Sequence, residues 1–164
     1  MPSRPTPAEF RIACGQFATG VTVLTVERAP GKVHGMTASS LTSVSLDPLL
    51  ILICIDQRAQ FLPMVKEKRR FGVNILRDAH QSISKYFAQT EEKPDVEAQL
   101  GIRYRWTENG IPLLEDALVH ITCTVVASYI AGDHTIFIAE VEGTEIFDGE
   151  PLLYFRGNYR RISS

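Results

Sequence analysis

Cysteine is scarce in this 164-residue chain: Cys14, Cys54 and Cys123 are the only three, and no two form a Cys-x-x-Cys pair. A disulfide scaffold is thereby excluded. The four histidines, His34, His80, His120 and His134, show no ligand spacing to one another or to an acid, so no metal site is expected. An excess of positive charge is missing too. Lys and Arg number 17 against 19 Asp and Glu, a formal net charge of -2, and the electrostatic footprint of a nucleic-acid binder is absent. The longest apolar run, Leu49 to Ile55, falls far short of the roughly 20 residues that cross a bilayer as a helix. The opening stretch Met1-Pro2-Ser3-Arg4-Pro5-Thr6-Pro7 lacks the apolar segment of a secretory signal, which with the few cysteines leads us to expect a reducing cytoplasm. No Gly-x-x-x-x-Gly-Lys-Ser/Thr loop, Gly-x-Gly-x-x-Gly or Gly-x-Ser-x-Gly occurs, so any nucleotide must be held in some other way.

What is present is the material for one core. Hydrophobic residues make up 45% and charged residues 22%, and residues 1–164 read as one domain, being too few for two. Thr6-Pro7-Ala8-Glu9 is a helix start, with a hydroxyl N-cap, a proline in the first turn and a glutamate closing a capping box. Phe10, Ala13, Cys14 and Phe17 follow at helical spacing until Gly20. From Val21 to Glu27 nearly every residue is β-branched or apolar, which predicts a strand, turned by Pro30-Gly31 into a second over Lys32 to Met36. The continuous run Leu49 to Ile55 predicts a strand covered on both faces, hence a central one. Phe61 to Lys68 reads as a helix closing on solvated cations, Phe71 to Leu76 as a strand, and Ala79 to Phe87 as a helix with Ile83 and Phe87 inward. The polar, proline-bearing stretch Thr90 to Asp95 reads as a mobile loop. Ala117 to Ala131 and Thr135 to Glu142, joined at Gly132-Asp133, form a hairpin, with a short apolar run at Leu152 to Phe155. Many strands with hairpin turns, and few short helices, argue for an antiparallel barrel rather than a doubly wound sheet.

Three features can carry chemistry. Gly35-Met36-Thr37-Ala38-Ser39-Ser40-Leu41-Thr42-Ser43-Val44-Ser45 concentrates small hydroxyl residues where a strand ends. Such a segment can offer hydroxyls and main-chain amides to a phosphate, or it can satisfy its own backbone. Gly132-Asp133-His134 places an imidazole, which titrates near neutrality, at a hairpin turn that is otherwise an ordinary solvated one. Asn74 inside an apolar strand is a buried amide that needs partners, from main chain or from a ligand.

Taken in order, several segments resemble the short-chain flavin reductase family, the small components that supply reduced flavin to two-component monooxygenases. They are Phe10-Arg11, Gly15-Gln16-Phe17-Ala18-Thr19-Gly20-Val21-Thr22-Val23-Leu24-Thr25, Gly35-Met36-Thr37-Ala38-Ser39-Ser40 and Val44-Ser45-Leu46-Asp47-Pro48. Phe71-x-Val73-Asn74-x-Leu76, Gly132-Asp133-His134 and Pro151-Leu152-Leu153-Tyr154-Phe155-x-Gly157-x-Tyr159 complete the set. The resemblance covers nearly the whole chain. It implies a mainly β fold, a split β-barrel of the FMN-binding type: a six-stranded antiparallel Greek-key barrel with short peripheral helices. It also implies a homodimer that binds FMN or FAD near the subunit interface and takes hydride from NADH or NADPH. By the same resemblance Thr37, Ala38, Ser39 and Ser40 form the loop at the flavin, and Cys54, Ile55, Asp56, Gln57 and Arg58 a second loop along its ribityl and phosphate. Asn74, Ser84 and Phe87 take accessory positions around that pocket, and His134 lies near the flavin ring and the incoming nicotinamide as the catalytic position.

The chain departs from the family pattern in two places. Asp56-Gln57-Arg58-Ala59-Gln60 stands where a serine-bearing turn is common, so that Arg58 can replace hydroxyl contacts by charge while an inward Asp56 would repel a phosphate. Ala139 stands where glycine is frequent, adding a methyl expected close to the ring. The activity implied is an NAD(P)H:flavin oxidoreductase serving a flavin-dependent monooxygenase, with no nucleic acid and no membrane involved. The nicotinamide hydride would lie about 3 to 3.5 Å from the flavin, a distance at which alignment supplies much of the rate. Two alternatives stay open: a barrel that holds flavin tightly for oxidase or electron-transfer work, and a non-catalytic ligand-binding barrel.

Overall fold

A computed structural model describes residues 3–163; Met1 and Pro2, the first of the opening stretch discussed above, and Ser164 lie outside the described residues. The capping box forms as expected. Thr6 Oγ1 accepts from the Glu9 N–H at 3.2 Å while the Glu9 carboxylate accepts from the Thr6 N–H at 2.7 Å, and helix α1 runs Pro7–Cys14. None of its residues is buried, and Phe10 and Phe17 are left 61% and 80% exposed.

The strands that follow are β1 (Thr19–Gly20), β2 (Thr22–Ala29), β3 (Lys32–Ala38), β4 (Thr42–Leu46) and β5 (Leu49–Asp56). Helix α2 (Phe61–Lys68) leads to β6 (Arg70–Ile75), a 3-10 turn at Asp78–His80, and helices α3 (Gln81–Phe87) and α4 (Pro94–Gln99). The last strands are β7 (Tyr104–Trp106), β8 (Pro112–Leu114), β9 (Val119–Ala131), β10 (His134–Ile146), β11 (Leu153–Phe155) and β12 (Asn158–Arg160). The main sheet is antiparallel, in the order β3-β2-β6-β9-β10-β5-β4. Its first six members are the six strands expected from the sequence. The seventh, β4, takes up part of the Ser/Thr-rich segment expected to be loop. Val44 and Leu46 alternate among Thr42, Ser43 and Ser45, an apolar pair too short to mark a strand by pattern, and pairing with β5 fixes it. Two smaller sheets, β1-β11-β12 and β7-β8, flank the main one.

The run Leu49 to Ile55 is not central. It is second from the sheet edge, beside β4, with Ile51, Ile53 and Ile55 buried and the alternate Leu50, Leu52 and Cys54 only half-covered. The strands buried on both faces are β2, with the residue before it, and its neighbour β6 over Phe71 to Asn74. Leu24 and Val26 point into the barrel with Ile53, Phe61, Phe71, Val73 and Phe137, whereas Val21 and Val23 join Leu76, Tyr86, Phe87, Leu114 and Leu152 in a second cluster outside it. Helix α2 contributes Phe61, Leu62 and Val65 to the inner cluster.

Polar side chains dock the β7-β8 ribbon on the sheet. Thr25 Oγ1 donates to the Pro112 carbonyl at 2.6 Å, and Gly72 leaves the room, since a Cβ there would sit 2.7 Å from Leu113 and 2.8 Å from the Pro112 carbonyl. His120, buried, donates from Nε2 to the Leu114 carbonyl and accepts at Nδ1 from Arg105, which is paired with Glu145. Burial, then Arg105, holds the His120 pKa below its ordinary value despite the opposing bond to Leu114, and burial with Arg77 does the same for His80. In the unfolded chain both titrate at about 6.5, so the unfolded state binds protons first as pH falls. Their contribution to stability is complete above that value and is lost as pH falls through it toward the lower folded-state values. Thermal melts between pH 7 and 5 are therefore expected to show a falling midpoint, with a shallower fall in His120→Gln.

Candidate active site

Three parts of the chain enclose a cavity of about 540 Å³: the end of β3 (His34 to Thr37), the turn from β5 into α2 (Asp56 and Arg58 to Phe61), and the end of α3 with the segment after it (Phe87 to Thr90). Its volume is in the range of small-molecule sites. Gly35 lets one wall form, because a Cβ at that position would lie 2.4 Å from the Phe87 ring, which packs directly on the β3 backbone. Met36, Ala59, Phe61 and Phe87 give an apolar lining, and Thr37, Arg58, Gln60, Gln89 and Thr90 add polar groups around it.

The residues singled out in the sequence are distributed around this cleft and beyond it. Thr37, Asp56, Arg58 and Phe87 line it. Ser39 and Ser40 border a neighbouring hollow of about 300 Å³, with Phe17, Thr19, Gly20, Thr22 and Thr42. Much of the hydroxyl capacity of this rim is committed to main chain. Thr37 Oγ1 donates to the Ser84 carbonyl at 2.7 Å, Thr22 Oγ1 donates to the Ala38 carbonyl at 2.7 Å, and Ser40 Oγ both donates to the Cys54 carbonyl and accepts from the Cys54 N–H at 3.0 Å. Ser40 thus staples the β3-β4 turn to β5, and burial pushes the Cys54 thiol pKa up, away from thiolate chemistry. Ile55 is fully buried in the barrel, as is Ala139, whose methyl belongs to the core.

Asn74 is also fully buried, and the protein supplies its partners: Nδ2 donates to the Val23 carbonyl at 2.9 Å and to Thr25 Oγ1 at 3.0 Å, while Oδ1 accepts from the Leu114 N–H at 2.8 Å. Ser84, equally buried, shares a 2.8 Å hydrogen bond with the Tyr159 hydroxyl. His134 opens β10 opposite Asp56 on β5, so it stands one strand position from the cleft wall. Gln57 closes that junction, its N–H donating to the Asp133 carbonyl at 2.9 Å and its side chain to the His134 carbonyl at 3.4 Å.

Two carboxylate pairs set the charge here. Arg58 donates to Asp56 from its backbone N–H at 2.8 Å and from Nε and Nη2 at 3.1 and 2.8 Å, and these bonds hold the Asp56 carboxyl well below the usual carboxylate range. Asp133 meets His134 Nδ1 at 2.7 Å, and that bond lowers the Asp133 pKa. The repulsion expected from an inward Asp56 is therefore cancelled locally by its own turn. Gln60, Gln89 and Thr90 were not among the site residues expected from the sequence, although Gln60 closes the departing turn and Thr90 opens the polar stretch. They have no motif, and only the fold brings the α3-α4 connection over the β5-α2 turn.

A mainly β split barrel with short rim helices and a lined cleft beside an Asp-His turn is the class that the architecture defines. The pattern of the flavin reductase like domain matches residues 14–163. An NADH-dependent flavin reductase of Rhodococcus sp is 43% identical over 159 residues, covering 96% of this chain and 87% of that protein. The solved structure of flavin reductase PheA2 superposes with a TM-score of 0.88 at 41% identity, over 98% of this chain and 100% of the other. The NADH:FAD oxidoreductase SgcE6 of Streptomyces globisporus, solved with NAD and FAD fragments, gives 0.86 at 34% identity over 95% and 92% of the two chains. The chain belongs to the flavin reductase like domain family.

Because its amide is engaged on both sides by the protein, Asn74 acts on stability. Asn74→Ala leaves the Leu114 N–H without its partner and is expected to cost about 2–3 kcal/mol, read by thermal unfolding. FMN affinity of the folded variant is expected to change by less than about twofold.

Proposed function

We propose that this chain is an NAD(P)H-dependent flavin reductase that holds FMN or FAD in the 540 Å³ cleft and passes reduced flavin to a partner monooxygenase. The observation that supports this most directly is the combination, in a member of this family, of an apolar-lined cleft, a guanidinium at its edge and an Asp-His pair on the adjoining strand. Bound flavin supplies the two-electron acceptor for the coenzyme's hydride, and the protein contributes alignment, hydrogen-bond donors and exclusion of water.

The residues fit that division of labour. The apolar wall of Met36, Ala59, Phe61 and Phe87 suits a flat ring system, and Arg58, with a side chain 88% exposed, can turn from Asp56 to a phosphate at low cost. With the hydroxyls of Thr37 and Ser40 already donating to carbonyls, Arg58 becomes the principal donor to an anionic tail on that side. Asp133 takes Nδ1 of His134, which leaves Nε2 to meet a coenzyme. We assign His134 to positioning the nicotinamide or steadying charge, not to obligatory proton transfer. The half-covered outer face of β5, with exposed Leu49 at its start and exposed Leu46 at the end of β4, suits a second copy of the chain. Light scattering is expected to give twice the 18.3 kDa of one chain.

The test is NADH and NADPH oxidation with added FMN, FAD and riboflavin. Flavin-stimulated oxidation is expected, and none in any combination under air would overturn the reading. Arg58→Ala is expected to weaken FMN and FAD binding about tenfold while sparing riboflavin, which has no phosphate. His134→Ala is expected to raise the KM for the coenzyme; an unchanged KM and turnover would remove that role.

A further inference from the structure

The segment from Ala88 to Lys93, between α3 and α4, is fastened to the barrel by one side chain. One oxygen of Glu92 meets Nδ1 of His34 on β3, and the other accepts from Arg28 Nη1 on β2 at 2.7 Å. Among the described residues these are the hydrogen bonds that join the segment to the barrel strands. Its other bonds run to the neighbouring helices: Ala88 N–H donates to the Ser84 carbonyl, Gln89 N–H to the Tyr86 carbonyl and Lys93 N–H to the Tyr86 hydroxyl of α3, and the Lys93 carbonyl accepts from the Val96 and Glu97 N–H groups of α4. The tether is sheltered. The His34 side chain is 8% exposed and that of Glu92 23%, while Arg28, at 43%, closes the contact from the solvent side, so the His34 arm is shielded from competing water.

What the tether holds in place is a wall. Gln89 and Thr90 line the 540 Å³ cleft, and Thr90, Glu91, Glu92 and Pro94 line a second cavity of about 390 Å³ bordered by Arg28. The two cavities share Gln60 and Thr90. We infer that Glu92, acting through His34 and Arg28, is a positioning residue that fixes the Gln89-Thr90 wall and thereby sets the affinity of the cleft for flavin, without touching the reacting atoms. The inference rests on the placement of flavin in that cleft. A connection of six residues, held at its ends by the helices and to the strands by a single anchor, opens locally at little cost once that anchor is removed, and an open wall costs binding before it costs chemistry.

The experiment compares Glu92→Ala, Glu92→Gln and, as a control on the same segment, Lys93→Ala. Hydrogen exchange of amides 88–93 in the free protein reports the tether, and FMN fluorescence quenching with steady-state kinetics reports the site. Glu92→Ala is expected to exchange about tenfold faster there and to raise the FMN dissociation constant and KM about fivefold to tenfold, with kcat at saturation within about twofold. Glu92→Gln keeps the reach and one acceptor and is expected to fall between wild type and Ala, and it carries the test if the alanine variant unfolds. Lys93→Ala is expected to match wild type. Unchanged exchange in the Glu92 variants overturns the tether. Faster exchange with unchanged FMN affinity and KM overturns the positioning role alone. A wild-type chain that binds no flavin overturns the site assignment, a result that the exchange data distinguish because they need no flavin.

Discussion

Strand β2 has no solvent face along Thr22 to Val26, and the rest of the molecule is arranged around that fact. Leu24 and Val26 fill the barrel, while Val21 and Val23 on the opposite side form the floor on which α3, β8 and the C-terminal segment pack. A strand buried twice must satisfy its polar atoms internally, and Thr25 and Asn74 do so: they bond to each other and to the β7-β8 ribbon, tying the outer layer to the barrel. The same outer layer brings Phe87 against Gly35, and the cleft opens where that contact ends.

The chemistry of the cleft follows from which polar groups the fold has already committed. Thr37, Ser40 and Thr22 bond to main-chain carbonyls, so the rim is stiff and its spare donors are few. Arg58 differs. It neutralises Asp56 when no anion is present, and exposure leaves it able to exchange that carboxylate for another acid. The site can therefore keep an acid and a base two residues apart without repelling a phosphate-bearing cofactor. A reductase that transfers its product needs a cleft that grips through few, exchangeable contacts, which is what the proposed placement of flavin beside Arg58 would give it.

The first three helices and most of the strands could be read from local pattern, whereas α4 begins at Pro94 inside the polar stretch Thr90 to Asp95 expected to be loop. Thr6 and Glu9 specify their cap within four residues, and the hairpin at Gly132-Asp133 lies between two runs of β-forming residues. The run Leu49 to Ile55 misled for a physical reason: an apolar face half-covered inside one chain has the same composition as one buried in it. Strand β4 was hidden by serines and threonines, which suit an edge strand as well as a loop. At the site, Thr37, Arg58, Phe87 and His134 were reached through the resemblance, since local pattern alone left the Thr37 segment and the His134 turn open between a ligand and an ordinary turn. Gln60, Gln89, Thr90 and the His34-Glu92-Arg28 contact were not, since their partners lie up to 64 residues away along the chain.

By itself the sequence determined local conformation, the antiparallel class and the family, because caps, turns and alternation act over a few residues and the family's segments recur in order. The tertiary structure alone decided which hydroxyls remain available, that Asp56 is neutralised, that Asn74 serves the core and that one carboxylate holds the wall of the cleft. Those outcomes depend on distances between strands far apart in sequence, and no short-range pattern encodes a distance of that kind.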